Sequence, residues 1–149
     1  MSLMRSDREV AINALVVAAG DAAHRRRAAA EIVADPALKT DLLSGADELD
    51  THARTLARDV IEHGDIPNAP SAEIESIRDA WLRLGASLLG DHAARAIRET
   101  LEAEEAVAEA VTAVLATDLS PEERRIAEAL GSRADRILPI LRDRLSRCD

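Results

Sequence analysis

Apolar residues return at steps of three and four along four long stretches of this sequence, and clear breaks separate the stretches. That spacing gathers them on one side of an α-helix, because residues i, i+3, i+4 and i+7 share a face. The breaks are chemically explicit. Ser6 and Glu9 have the arrangement of a capping box, in which the hydroxyl accepts from a free backbone N–H and the glutamate reaches back. The first helix should run from there to about Ala34. Asp35-Pro36 reads as an N-cap followed by a first helical residue, where proline's missing N–H costs nothing. A second helix continues to His63 and stops at Gly64, and residues 64–70 read as a loop rich in turn formers. Ser71 opens a shorter helix whose Ile74, Ile77, Trp81, Leu84 and Leu88 form a single stripe. Gly90-Asp91 ends it and caps a long helix to about Thr117. Ser120-Pro121-Glu122-Glu123 then supplies a second capping box for the last helix, which Pro139 should kink.

These elements predict one all-α domain over residues 1–149. Short first and last connections make antiparallel hairpins. The long connection between the second and third long helices lets those two run parallel, which a plain up-down-up-down bundle does not need. The expected fold is therefore a ferritin-like four-helix bundle with a short extra helix in the crossover, where Trp81 packs. Composition agrees: 47% of residues are hydrophobic but only 1% aromatic, so the core is Ala, Leu, Val and Ile. Such a core suits closely packed helices better than a sheet.

The same composition narrows function. No segment has the ~20 uninterrupted apolar residues of a transmembrane helix. The N-terminus runs straight into Arg5, Asp7, Arg8 and Glu9, which does not read as a signal peptide. Cys148 is the only cysteine, so no disulfide forms within the chain, and a reducing cytoplasm is the expected location. A net charge of -9 argues against nucleic acid as a partner, since such binders need a basic face. Arg25-Arg26-Arg27 is the one basic run; its side chains point in different directions on a helix and read as a solvated edge.

Helical projection assigns the inward stripes. They are Ile12, Val16, Ala19, Ala23 and Ala30 on the first helix, and Leu38, Leu42, Leu49, Ala53, Leu56 and Val60 on the second. The third contributes Ile97, Leu101, Ala108, Val111 and Leu115. The last contributes Ile126, Leu130, Ile137, Ile140 and Leu141. Two charged residues fall on these stripes, Glu104 and Arg133, each about fourteen residues from the turn that joins their helices. A buried charge without a partner is very costly, so Glu104 and Arg133 are expected to face each other, with His52 close by. This interior polar cluster reads as an ion pair that fixes helix register, as the remains of a metal site, or as a polar pocket for a ligand.

With these residues in place, the chain resembles the bacterial DUF2383 proteins of ferritin-like fold from about Ala11 to Ile137. Asn13-Ala14-Leu15 followed by Asp21, Asp35-Pro36-Ala37-Leu38-Lys39, and Trp81-Leu82-Arg83-Leu84 ending at Gly90-Asp91 carry the first part of the likeness. Ala103-Glu104-Glu105, Asp118-Leu119-Ser120-Pro121-Glu122 and Asp135-Arg136-Ile137 carry the rest. The resemblance implies the ferritin-like bundle and no particular reaction. Di-iron members of that fold class use a Glu from each of two helices and a Glu-x-x-His from each of the other two. That set is incomplete here: His52 follows Glu48 by four residues, the last helix has no His, and Ala134 stands where family members often carry one.

The sequence therefore points to a non-catalytic bundle without a cofactor, acting through a protein partner or as a homodimer, with a stress response among its candidate settings. One alternative is a metal-binding or oxidase-like protein using Glu104 and His52. Another is an amphipathic coat for lipid or polymer granules, which the net acidity disfavours. No Ser–His–acid set suits nucleophilic catalysis.

Overall fold

A computed structural model describes residues 6–62 and 92–148. Within them the chain forms four α-helices and no strand: α1 (Asp7–Ile32), α2 (Pro36–Glu62), α3 (His92–Leu115) and α4 (Pro121–Cys148). The loop at 64–70, the short helix with Trp81, the cap at Asp91 and the Val60 side chain lie outside the described residues.

The helix starts are those the caps dictate. Ser6 Oγ accepts from the Glu9 amide at 3.2 Å while Glu9 Oε2 accepts from the Ser6 amide at 3.3 Å. At α2, Asp35 Oδ1 accepts from the Ala37 amide at 3.0 Å, and Pro36 is the first helical residue. At α4, Ser120 Oγ accepts from the Glu123 amide at 3.1 Å, and Glu123 Oε1 accepts from the Ser120 amide at 2.9 Å. Each box satisfies donors that the first turn of a helix cannot pair internally. The last helix continues through Pro139 to Cys148.

Two hydrophobic clusters fix the direction of each helix. At one end, Ala29 and Ala30 of α1 and its C-cap Val33 pack with Leu38 and Leu42 of α2, Ala96 and Ile97 of α3, and Ile137 and Leu141 of α4. The end of α1, the start of α2, the start of α3 and the end of α4 therefore share one end of the bundle. The larger cluster joins Ile12 to Ala23 with Ala46 to Leu56, Ala103 to Val114 and Ile126 to Ala134. Helices α1 and α4 run one way, and α2 and α3 run the other. Helix α1 packs against both α2 and α3, and α3 against α4, whereas α2 and α4 meet only loosely.

The expected stripe of α1 is buried, as are Leu38, Leu42, Leu49, Ala53 and Leu56 of the α2 stripe. On α3 the buried face is rotated from the expected one. Thr100, Ala103, Glu104, Val107, Val111 and Val114 are buried, while Leu101, Ala108 and Leu115 are only half-buried. The cause is that α3 is flanked by α1 and α4 at once, so its inward arc centres between them. Ile140 is 40% exposed because it lies beside the loose α2–α4 seam.

The capping glutamate of α4 is itself buried. Glu123 is only 2% exposed and pairs with Arg8, which also reaches Asp59 Oδ2 at 3.3 Å. Burial pushes the Glu123 carboxyl up, but hydrogen bonds involving Asp59, the Ser120 amide and Arg8 prevail and bring it down to about 2. A carboxyl depressed in the folded state contributes stability that is fully present above its unfolded pKa, near 4.5, and is lost as pH falls toward 2. Denaturant melts at stepped pH should show stability declining through that window, and Glu123→Gln should flatten the decline. An unchanged slope in the variant would count against this assignment.

Candidate functional site

Arg25, Arg26 and Arg27 do point three ways, as consecutive helical residues must, but they are not a solvated edge. Arg25 Nη1 donates to Glu99 Oε2 of α3 at 2.9 Å. Arg27 turns toward α2, where its guanidinium lies 3.0 Å from Asp47 Oδ1 and 2.6 Å from Asp50 Oδ2. Arg26 points between them into the bundle. It is 3% exposed, and its Nε donates to Oε1 of Glu104, which is 0% exposed.

The sequence expectation paired Glu104 with Arg133; the structure pairs Glu104 with Arg26, and Arg133 with Glu48 of α2. Packing order explains the difference. Helix α1 packs directly on α3, so Arg26 meets Glu104, while Arg133 is turned into the α2–α4 seam and keeps 29% of its side chain exposed. The signal for Arg26 was present in the sequence. Position 26 follows Ala23 by three and precedes Ala30 by four, which places it on the inward stripe of its own helix.

Room for the buried guanidinium comes from Gly45, at mid-helix in α2. A Cβ there would collide with Arg26 Nη1 and lie 2.9 Å from its Cζ. Glycine in a helix interior costs about 1 kcal/mol relative to alanine, and here its missing side chain is occupied by arginine. The pair is nonetheless incomplete. Among the described residues, Arg26 Nη2 and Glu104 Oε2 have no hydrogen-bond partner.

Beside this pair the α2–α4 seam opens into a cleft of about 270 Å³. Arg26 lines it from α1, Asp41, Ser44 and Glu48 from α2, and Arg133, Arg136, Ile137 and Ile140 from α4. Burial lowers the Arg133 pKa, and the positive charges of Arg136 and Arg26 lower it further, so three guanidiniums share one field. His52 does not line the cleft. It is half-buried, and burial, then repulsion from Arg125 of α4, lower its pKa from 6.5. The structure thus places Glu104 in the interior as expected, turns Arg133 into the seam to meet Glu48, and leaves His52 outside the cleft lining, where the charge of Arg125 acts on it. Trp81 lies outside the described residues.

Among the described residues, no three His, Cys, Asp or Glu side chains are grouped to hold a metal ion. No described helix is long and apolar enough to cross a membrane. No protein-family model, no curated protein and no solved structure matches the chain.

Proposed function

We propose that the chain is a non-catalytic, ferritin-like bundle of DUF2383-like type that works by binding, with a protein partner or a second copy of itself as the counterpart. The observation that carries this reading is the Arg26–Glu104 pair. In di-iron bundles the inward carboxylates of the central layer serve as metal ligands. Here the buried carboxylate of α3 is held by a guanidinium, which already supplies the positive charge an ion would bring. The helix directions, with α2 parallel to α3, support the ferritin-like arrangement. Exposed Leu43 on α2 and Ile140 on α4 offer apolar surface on the two helices that pack least closely.

Elemental analysis after purification and after anaerobic iron reconstitution tests the first half. No stoichiometric metal is expected, and about two irons per chain would overturn the reading in favour of an oxidase-like protein. Sedimentation equilibrium tests the second half. A reversible dimer weakened by Leu43→Ser or Ile140→Ser supports self-association. A strict monomer at all concentrations leaves the partner reading, which a pull-down lost in both variants would support and one retained in both would oppose.

A further inference from the structure

Helices α2 and α4 meet loosely and leave two clefts along their seam. The second, of about 210 Å³, lies toward the end of α2 and the start of α4, where Arg58 and Asp59 face Glu122 and Glu123. Most charges that line the two clefts are already paired within the chain. Arg26 holds Glu104, Arg133 holds Glu48, and Arg8 holds both Asp59 and Glu123. Four remain, all exposed and without an ion pair among the described residues. In the first cleft they are Asp41 on α2 and Arg136 on α4. In the second they are Arg58 on α2 and Glu122 on α4. Each cleft therefore keeps one charge of each sign on opposite walls, and the order inverts from one cleft to the other.

A surface with that pattern complements itself. A two-fold axis along the bundle exchanges the α2 and α4 sides while keeping every residue at its own height. Each remaining charge then faces its opposite, and every contact occurs twice, as an isologous interface requires. We propose that two copies of this chain pair through the α2–α4 seam about such an axis. Asp41 meets the partner's Arg136, Arg58 meets the partner's Glu122, and exposed Ile140 joins the contact. The proposal rests on the self-association reading above and names the surface that would serve it. The seam is large enough. At about 1.5 Å per residue, the 27 residues of α2 and 28 of α4 make a face about 40 Å long. Two helices of about 10 Å diameter make it about 20 Å wide. The resulting area of about 800 Å² per copy is that of a standard stable interface. Complementary charge fixes the register, and exclusion of water from the apolar area adds affinity.

Sedimentation equilibrium of the whole chain reads the dimer constant. Asp41→Arg alone, or Arg136→Asp alone, sets like charges against each other twice, so each should weaken the dimer at least about tenfold. Both positions are exposed, and the melts should stay close to wild type. An equimolar mixture of these two variants should recover the wild-type constant, because both contacts of the heterodimer again join opposite charges. Arg58→Glu and Glu122→Arg should behave the same way. Ile140→Ser should weaken the wild-type dimer, whereas Leu43→Ser, exposed but outside both clefts, should not. A chain that stays monomeric at every concentration would end the self-association reading and this proposal together. A dimer indifferent to the reversals would leave that reading standing and overturn the seam as its surface. Reversals that weaken the dimer without recovery in the mixture would overturn the pairing of α2 with the partner's α4.

Discussion

Arg26→Ala should destabilise the protein by about 3–5 kcal/mol, the range for removing one partner of a buried ion pair. The loss arises chiefly from what remains. Glu104 is fully buried and does not line the cleft, so without Arg26 its carboxylate has neither counter-charge nor ready access to water. The reverse truncation should be milder. In Glu104→Ala the orphaned guanidinium already borders an open cleft and can be hydrated there. Denaturant unfolding of both variants, with the slope monitored for two-state behaviour, checks the order as well as the size. Equal losses, or a larger loss for Glu104→Ala, would mean that access to the cleft does not govern the cost. The double replacement Arg26→Met with Glu104→Met should recover most of the stability, as replacing a whole buried pair by apolar groups often does.

Gly45→Ala should reverse the usual sign of a helix substitution. At an ordinary interior position the change gains about 1 kcal/mol through helix propensity. At Gly45 the new methyl meets the Arg26 guanidinium, whose Nε is fixed by Glu104 and which therefore cannot simply swing away. Overpacking of this kind costs about 1–3 kcal/mol, so set against the propensity gain a net loss of up to about 2 kcal/mol is expected. Coupling between the sites makes the test specific. In the Arg26→Met, Glu104→Met background the obstructing Nη1 is gone, and Gly45→Ala should become neutral or stabilising. A double-mutant cycle measures this directly. Additive effects would show that Gly45 is glycine for some other reason.

The helix ends were legible because capping is local chemistry. Ser6 with Glu9, Asp35 with Pro36, and Ser120 with Glu123 each lie within four residues, and each makes its cap in the structure. The stripes of α1 and α2 were legible for a related reason: 3.6-residue periodicity turns spacing into facing. Periodicity also marked Arg26, whose placement between Ala23 and Ala30 assigned it inward. Its membership of a three-arginine run obscured that, since such runs are commonly read as solvated. Equal distances from the turn between α3 and α4 set Glu104 and Arg133 at one height but fix no rotation about either helix axis. Rotation decides partners, and on α4 it turns Arg133 toward α2.

By itself, then, the sequence determined that this chain is helical, where its helices begin, and that Glu104 needs a partner indoors. Those properties depend on residues close together in the chain and on the cost of burying charge. The choice of Arg26 as that partner, the space left by Gly45 and the cleft in the α2–α4 seam were decided by the tertiary structure. Each depends on which helix lies beside which, and on how closely each pair packs, and those relations join residues from different helices that no local pattern connects.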